Sequence, residues 1–260
     1  VVVVGYGTMK KKDLTGSVKS ISNATLKSTG QNSTLGALRG QTAGVNVTQN
    51  NGKLGTGYNI EIRGMNSINK SSSPLCVIDG VIGGDINAIN PVDIERIDIL
   101  KDVSATAIYG SRGSNGVIIV TTKSGQSGKT VVTYDGMVGF TTPTNLPEMF
   151  NGPEYVAYAK EAINGGSNHN PFVGREKENA DNGNFTDWLD YTLQNGFQTS
   201  HSVSLTGGSE KEKHIMSVGY VNQTGSIEGE QMERFTLKLG IEGKVGNFTL
   251  RSEERRVGKE

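Results

Sequence analysis

The chain has 260 residues with 26 basic and 26 acidic side chains, so it carries no global field that would draw nucleic acid or an anionic surface. Hydrophobic residues make up only 34% while glycine numbers 36, a balance that suits turns and short strands better than helical layers. No run approaches the roughly 20 apolar residues of a membrane helix; a membrane β-barrel stays open, because its strands alternate and score as mildly polar.

The chain opens VVVVGYG, Val1 to Gly7, followed by the charged stretch TMKKKDLTGS. Four consecutive β-branched residues favour an extended backbone. The run is too short to cross a membrane and lacks the basic flank and cleavage site of a signal peptide. It is either a strand tucked into the chain's own sheet or one kept free for another protein to pair with. The abrupt start is expected to be a truncation.

From Asp13 to Ser127 short helices and short strands mix. Asn32 to Gly40 reads as a capped helical turn ending at glycine. GVNVTQ and NIEIRG read as alternating strands, with Val45 and Val47, then Ile60 and Ile62, on one face. PLCVIDGV, Pro74 to Val81, is a denser apolar strand ending in an Asp-Gly turn. Its Cys76 is the only cysteine, which excludes an internal disulfide and reads as a small buried residue. Asn90-Pro91 reads as an N-cap with proline at the first helical position. Ile97 and Ile99 of the next strand face one way, Asp102 caps a short helix closed by Gly110, and NGVIIVTTKSG ends the region as an apolar strand.

From Lys129 the period becomes 2. Val132, Tyr134, Val138 and Phe140 share a face, as do His201, Val203 and Leu205, then Met216, Val218 and Tyr220. The last full strand sets Phe235, Leu237, Leu239 and Ile241 against Thr236, Lys238, Gly240 and Glu242. A soluble sandwich and a membrane barrel both give this pattern. The connections favour the barrel: a long excursion over 142–197, a short turn, a longer loop and another short turn. The excursion holds one helix capped by Asn151 and Glu154, with Tyr155, Ala159, Ala162 and Ile163 on one face. The final RSEERRVGKE, Arg251 to Glu260, breaks the alternation, and its back-translation resembles a short-read sequencing adapter. It is expected to be foreign to the gene.

No catalytic pattern emerges. The glycines of Tyr109 to Gly116 follow a helix and precede a strand, the reverse of a phosphate loop. His169, His201 and His214 lack metal-ligand spacing, and no nucleophile elbow occurs. The reading is of a non-enzyme that needs no metal and no cofactor and binds no nucleic acid.

Four phrases carry a resemblance: LRGQTAGVNV (Leu38 to Val47), IEIRGMNSI (Ile60 to Ile68), PLCVIDGV, and NPVDIERIDILKDVSATAIYGSRGSNGVIIVTTKSG (Asn90 to Gly125). Together they resemble TonB-dependent outer-membrane receptors, and more narrowly the SusC/RagA family. Cys76 stands where that family usually has an aromatic, and Val103 and Gly113 where it usually has alanine. The resemblance implies an α+β plug domain followed by antiparallel β-strands of an incomplete transmembrane β-barrel. The division is a TonB-box segment and linker (1–12), the plug (13–127), the first barrel strands (128–250) and the adapter-like end (251–260).

It further implies energised import of oligosaccharides or peptides across the bacterial outer membrane. TonB would pair with Val1, Val2, Val3, Val4, Gly5 and Tyr6; a SusD-like surface lipoprotein, the glycan or peptide ligand and outer-membrane lipid would be the other partners. The plug motif would comprise Arg39, Gly40, Arg63, Gly64, Asp79, Gly80, Lys101, Asp102, Tyr109, Gly110 and Arg112. The charged strand residues of the plug, Arg39, Glu61, Arg63, Asp79, Glu95 and Arg96, are expected to contact side chains of the barrel lumen. The rival reading is a soluble or surface-attached β-rich adhesin module.

Overall fold

The computed structural model describes residues 2–4, 7–9, 18–49, 51–64, 72–164, 172–246 and 248–259. The first two strands, β1 (Val2–Val4) and β2 (Gly7–Met9), pair with each other antiparallel, Val3 opposite Thr8.

Strand β3 (Val18–Ser22) leads into helix α1 (Asn23–Ser28), whose N-cap Ser22 accepts from the Thr25 amide. Ser33 likewise caps the short helix α2 (Thr34–Leu38). Strands β4 (Val45–Gln49) and β5 (Tyr58–Ile62) form a separate antiparallel pair, Val47 opposite Ile60. Then come β6 (Leu75–Ile78), β7 (Val81–Ile82), β8 (Ile94–Leu100), the one-turn helix α3 (Val103–Thr106) and β9 (Val117–Thr122). The sheet order is β3-β8-β9-β6-β7, antiparallel except for the parallel pair β6-β9.

Both faces of this mixed sheet are covered, which explains why β9 reads as a continuous apolar run. Ile118 and Val120 join Ile97, Ile99, Leu26, Leu35 and Leu38 in one core, while Val117 and Ile119 join Leu100, Val77 and Ala105 in another. Asn23 donates from Nδ2 to the carbonyls of Pro91 (3.2 Å) and Ile94 (2.5 Å), fastening α1 to the 3-10 turn Pro91–Asp93. Asn90 caps that turn by accepting from the Val92 amide, as the Asn-Pro pair predicts.

Five long strands follow: β10 (Gly128–Thr141), β11 (Gly196–Gly208), β12 (Glu212–Thr224), β13 (Gln231–Val245) and β14 (Phe248–Lys259). They form one sheet in sequence order. Its two outer strands are not joined, so the sheet is open among the described residues. The ladder of β14 on β13 continues to Lys259, so the hydrogen-bonded strand does not stop at Arg251. The chemistry stops there instead. Opposite the outward Leu237, Leu239 and Ile241 of β13 stand Arg256, Glu254 and Ser252.

Between β10 and β11 the described residues of the long excursion form three helices rather than one: α4 (Gly152–Asn164), α5 (Gly174–Asn182) and α6 (Trp188–Thr192). The reciprocal cap is formed, Glu154 N to Asn151 Oδ1 at 2.9 Å and Asn151 N to Glu154 Oε2 at 3.0 Å. The helix face expected to be apolar is not covered: Tyr155 and Ala162 are exposed, and the Ile163 side chain lies outside the described residues. Helix α5 has no apolar stripe and is closed by Gly183 in the left-handed region, φ 71°. With the loop over Thr224–Glu230 the excursion forms a compact unit distinct from the rest of the chain.

Candidate functional site

The mixed-sheet domain and most of the long-stranded sheet make up a single compact unit. Where they meet, the usual arrangement of side chains is inverted. The apolar rows expected from the alternation face outward and are exposed: Phe140 at 78%, Val132 at 65% and Ile241 at 64%. Facing the domain and buried are Ser200, Ser202, Ser217, Arg234, Thr236 and Lys238. A soluble sandwich would bury the first set. A wall with lipid outside and a polar filling inside buries the second.

Three of these buried polar groups, Ser217, Arg234 and Lys238, are placed against partners in the domain, which offsets the cost of desolvating them, and Thr236 donates to the Gly219 carbonyl within the wall. Ser217 on β12 donates from Oγ to Asp93 Oδ1 at 2.7 Å, inside the interface. On β13, Lys238 donates from Nζ to Thr122 Oγ1 (2.7 Å) and to the Lys123 carbonyl (2.6 Å). Arg234 donates to the Asn32 carbonyl at 2.6 Å, and Asn32 donates to Gln198 on β11 at 3.2 Å. Lys27 of α1 pairs with Asp135 of β10.

Glycines let the backbones close. A Cβ at Gly125 would stand 2.6 Å from the His214 amide nitrogen, and one at Gly219 would stand 2.8 Å from Asn90 Nδ2. Burial raises the Asp93 carboxyl above its ordinary range, opposed by the Ser217 hydrogen bond and by Lys238, Lys123 and Arg255. Burial, with help from Lys27, lowers the Lys123 ammonium, opposed by Asp135 and Asp93.

These contacts replace most of those expected for the charged strand residues. Arg63 pairs with Asp102 within the domain, and Arg96 pairs with Asp98 at 3.0 Å. Arg39 and Glu95 are exposed, and Glu61 is half-buried on β5. Only Asp79 reaches the wall, through Arg255 of β14; it also accepts from the Thr122 amide (2.9 Å) and hydroxyl (2.8 Å).

The motif residues fall into two groups at opposite ends of β8. One joins Arg63 and Asp102 with Lys101, which donates to the Ala43 carbonyl at 2.5 Å. Asp102 therefore stands at the N-cap of α3 without making the side-chain cap expected of it, because Arg63 takes its carboxylate. The other group is the Asp79-Gly80 turn beside Thr122. Backbone geometry accounts for several glycines: Gly40, Gly64, Gly80 and Gly110 have φ of 74°, 86°, 88° and 59°. Tyr109 packs on the second core and Arg112 is exposed. The valine segment is not left single, since Val2–Val4 pairs with Gly7–Met9; Val1, Gly5 and Tyr6 lie outside the described residues.

Residues 10–117 match the family model of the TonB-dependent receptor plug domain. The TonB-dependent receptor SusC of Bacteroides thetaiotaomicron is 39% identical over 252 residues, covering 93% of this chain and 24% of that protein. The chain belongs to the TonB-dependent receptors of the SusC/RagA type. TonB-dependent receptor P26 of Formosa agariphila is also 39% identical, over 95% of this chain and 25% of its own length. In three dimensions the chain superposes on the RagAB peptide importer in its open-open state with a TM-score of 0.83 and 27% identity, covering all of this chain and 32% of that one.

The chain thus spans about a quarter of the length of the curated relatives it matches. The mixed-sheet domain is the receptor's plug, and β10 to β14 correspond to the start of its barrel. Receptors of this type are outer-membrane β-barrel proteins, which places the chain in the outer membrane and sets the soluble adhesin reading aside. The relatives are receptors and transporters, not enzymes.

Proposed function

We propose that this chain is the gate and first wall strands of an importer that draws on TonB to carry oligosaccharides or peptides inward across the outer membrane. The observation that carries this reading is the inverted interface: a polar plug docked on the buried polar face of strands whose outward rows are apolar. A wide barrel leaves an aqueous lumen that needs such a filling. The substrate classes are suggested by similarity to SusC and to the RagAB peptide importer. A SusD-like surface lipoprotein is the partner that the same similarity suggests. The work is binding and gating, with no covalent bond made or broken.

The energy-coupling contact is assigned to Val1–Tyr6. Main-chain hydrogen bonds to a partner's sheet edge give affinity with little demand on sequence. The pairing of Val2–Val4 with Gly7–Met9 leaves the outer edge of this two-stranded sheet for such an addition. Proline at Val3 removes a ladder donor and fixes φ. In the receptor carrying this sequence, Val3→Pro is expected to abolish uptake while surface ligand binding and outer-membrane abundance stay normal. Intact uptake, or loss of plug stability instead, would overturn the assignment.

A further inference from the structure

The plug is not held evenly by the wall. Towards β12 and β13 the contact is tight: Asp93, Ser217 and Lys238 are buried, and Gly125 and Gly219 bring backbone and side chain into direct contact. Towards β10 and β11 a cleft of about 190 Å³ opens between plug and wall, beside the Asn32–Gln198 hydrogen bond of 3.2 Å. It runs from Gln31 and Asn32 past Asn90 to Asp135 and Ser200, with Val92 and Met137 adding apolar surface, and has room for several waters. Asn90 is 4% exposed, lines this cleft, and has no protein partner for its Nδ2. The ion pair Lys27–Asp135 borders it, with side chains 34% and 26% exposed.

Exposed ion pairs hold weakly, because water screens both charges and two long side chains must be ordered. Buried hydrogen bonds to charged groups hold more strongly. We propose that the cleft under β10 and β11 is the seam along which the plug first parts from the wall, with Lys27–Asp135 as its latch and the Asp93–Ser217 and Lys238 contacts as the fixed side. The first permeants through this seam are water and small hydrophilic solutes. The inference rests on the reading of the domain as a gating plug.

The test uses the full receptor in cells and a chromogenic β-lactam, a small hydrophilic probe whose entry is read by periplasmic hydrolysis. Lys27→Glu sets like charges against each other at the latch. It is expected to raise probe entry several-fold without TonB, at unchanged outer-membrane abundance. The swap Lys27→Glu with Asp135→Lys is expected to return entry to the parent level, which a folding defect would not do. Lys213→Glu, which breaks a comparably exposed ion pair with Glu242 within the wall itself, is expected to stay tight. Entry that is unchanged in Lys27→Glu, unrescued by the swap, or raised equally by Lys213→Glu would overturn the seam. Removal of residues 18–127 tests the underlying reading separately: if entry does not rise, the domain is not a gate.

Discussion

Ser217→Ala probes the docking of the plug most cleanly, because it deletes one oxygen and leaves no new shape. Ser217 donates the buried hydrogen bond that Asp93 Oδ1 accepts at 2.7 Å. A hydrogen bond to a charged group contributes about 1.5–3 kcal/mol, and more is lost when the partner stays buried. The loss is expected to be about 2 kcal/mol at neutral pH, within that range. Its pH dependence follows from the raised Asp93 carboxyl.

A carboxyl raised above its unfolded value contributes stability that is full below the unfolded pKa and lost as pH rises through the folded one. Removing Ser217, which pulls the carboxyl down, makes that loss larger. The groups facing Asp93 are Ser217, Lys238, Lys123 and Arg255, so the variant leaves only cations to favour the carboxylate. Parent and variant are therefore expected to converge in acid and to separate as pH rises above the usual carboxylate range. Cys76 supplies the readout, since it packs against the plug core and burial pushes its thiol up to about 11. Urea titrations followed by pulse alkylation of the Cys76 peptide should show an earlier midpoint for Ser217→Ala at pH 7.5 and a smaller gap at pH 5. A gap that is absent at pH 7.5, or that widens in acid, would refute the reasoning.

Gly219→Val places carbon about where Thr236 Oγ1 and Asn90 Nδ2 stand, 2.5 and 2.8 Å from an added Cβ. It should destabilise docking by about 1–3 kcal/mol in the same alkylation assay; a midpoint like the parent's would remove Gly219 from the interface. Gly125→Ala meets His214 backbone rather than a movable side chain, and should lose at least as much. The ten codons from Arg251 to Glu260 should be missing when the locus is re-amplified from source DNA; finding them there ends the adapter reading. The 260-residue chain alone, with an open five-stranded sheet, should give no heat-modifiable band in gels and no conductance in liposomes. A stable, heat-modifiable species would show that closure needs fewer strands than argued.

Much of the fold can be read locally. The alternation of Phe235, Leu237, Leu239 and Ile241 sets a strand face, and Asn90-Pro91 and Asn151-Glu154 set turn and helix starts because capping acts over three residues or fewer. Which face is buried cannot be read that way, since a period of 2 is the same in oil and in water. The docking residues are also hidden. Ser217 lies 124 positions from Asp93 and Lys238 lies 116 from Thr122, so no local pattern links them. The charged strand residues of the plug read as wall contacts, yet Arg63 and Arg96 are taken up by Asp102 and Asp98 nearby in the fold. Serine and glycine on the inward rows of β11 and β12 were the available signal, small polar residues where a soluble sandwich would need bulk.

The account stands or falls on whether the plug is coupled to TonB through its valine strand. A photoreactive side chain at Val3 of the full receptor, activated in living cells with and without transported ligand, tests this directly. The account predicts an adduct with TonB that increases when ligand is present and vanishes with Val4→Pro. An adduct confined to the receptor's own chain, with uptake unchanged when TonB is deleted, would contradict it.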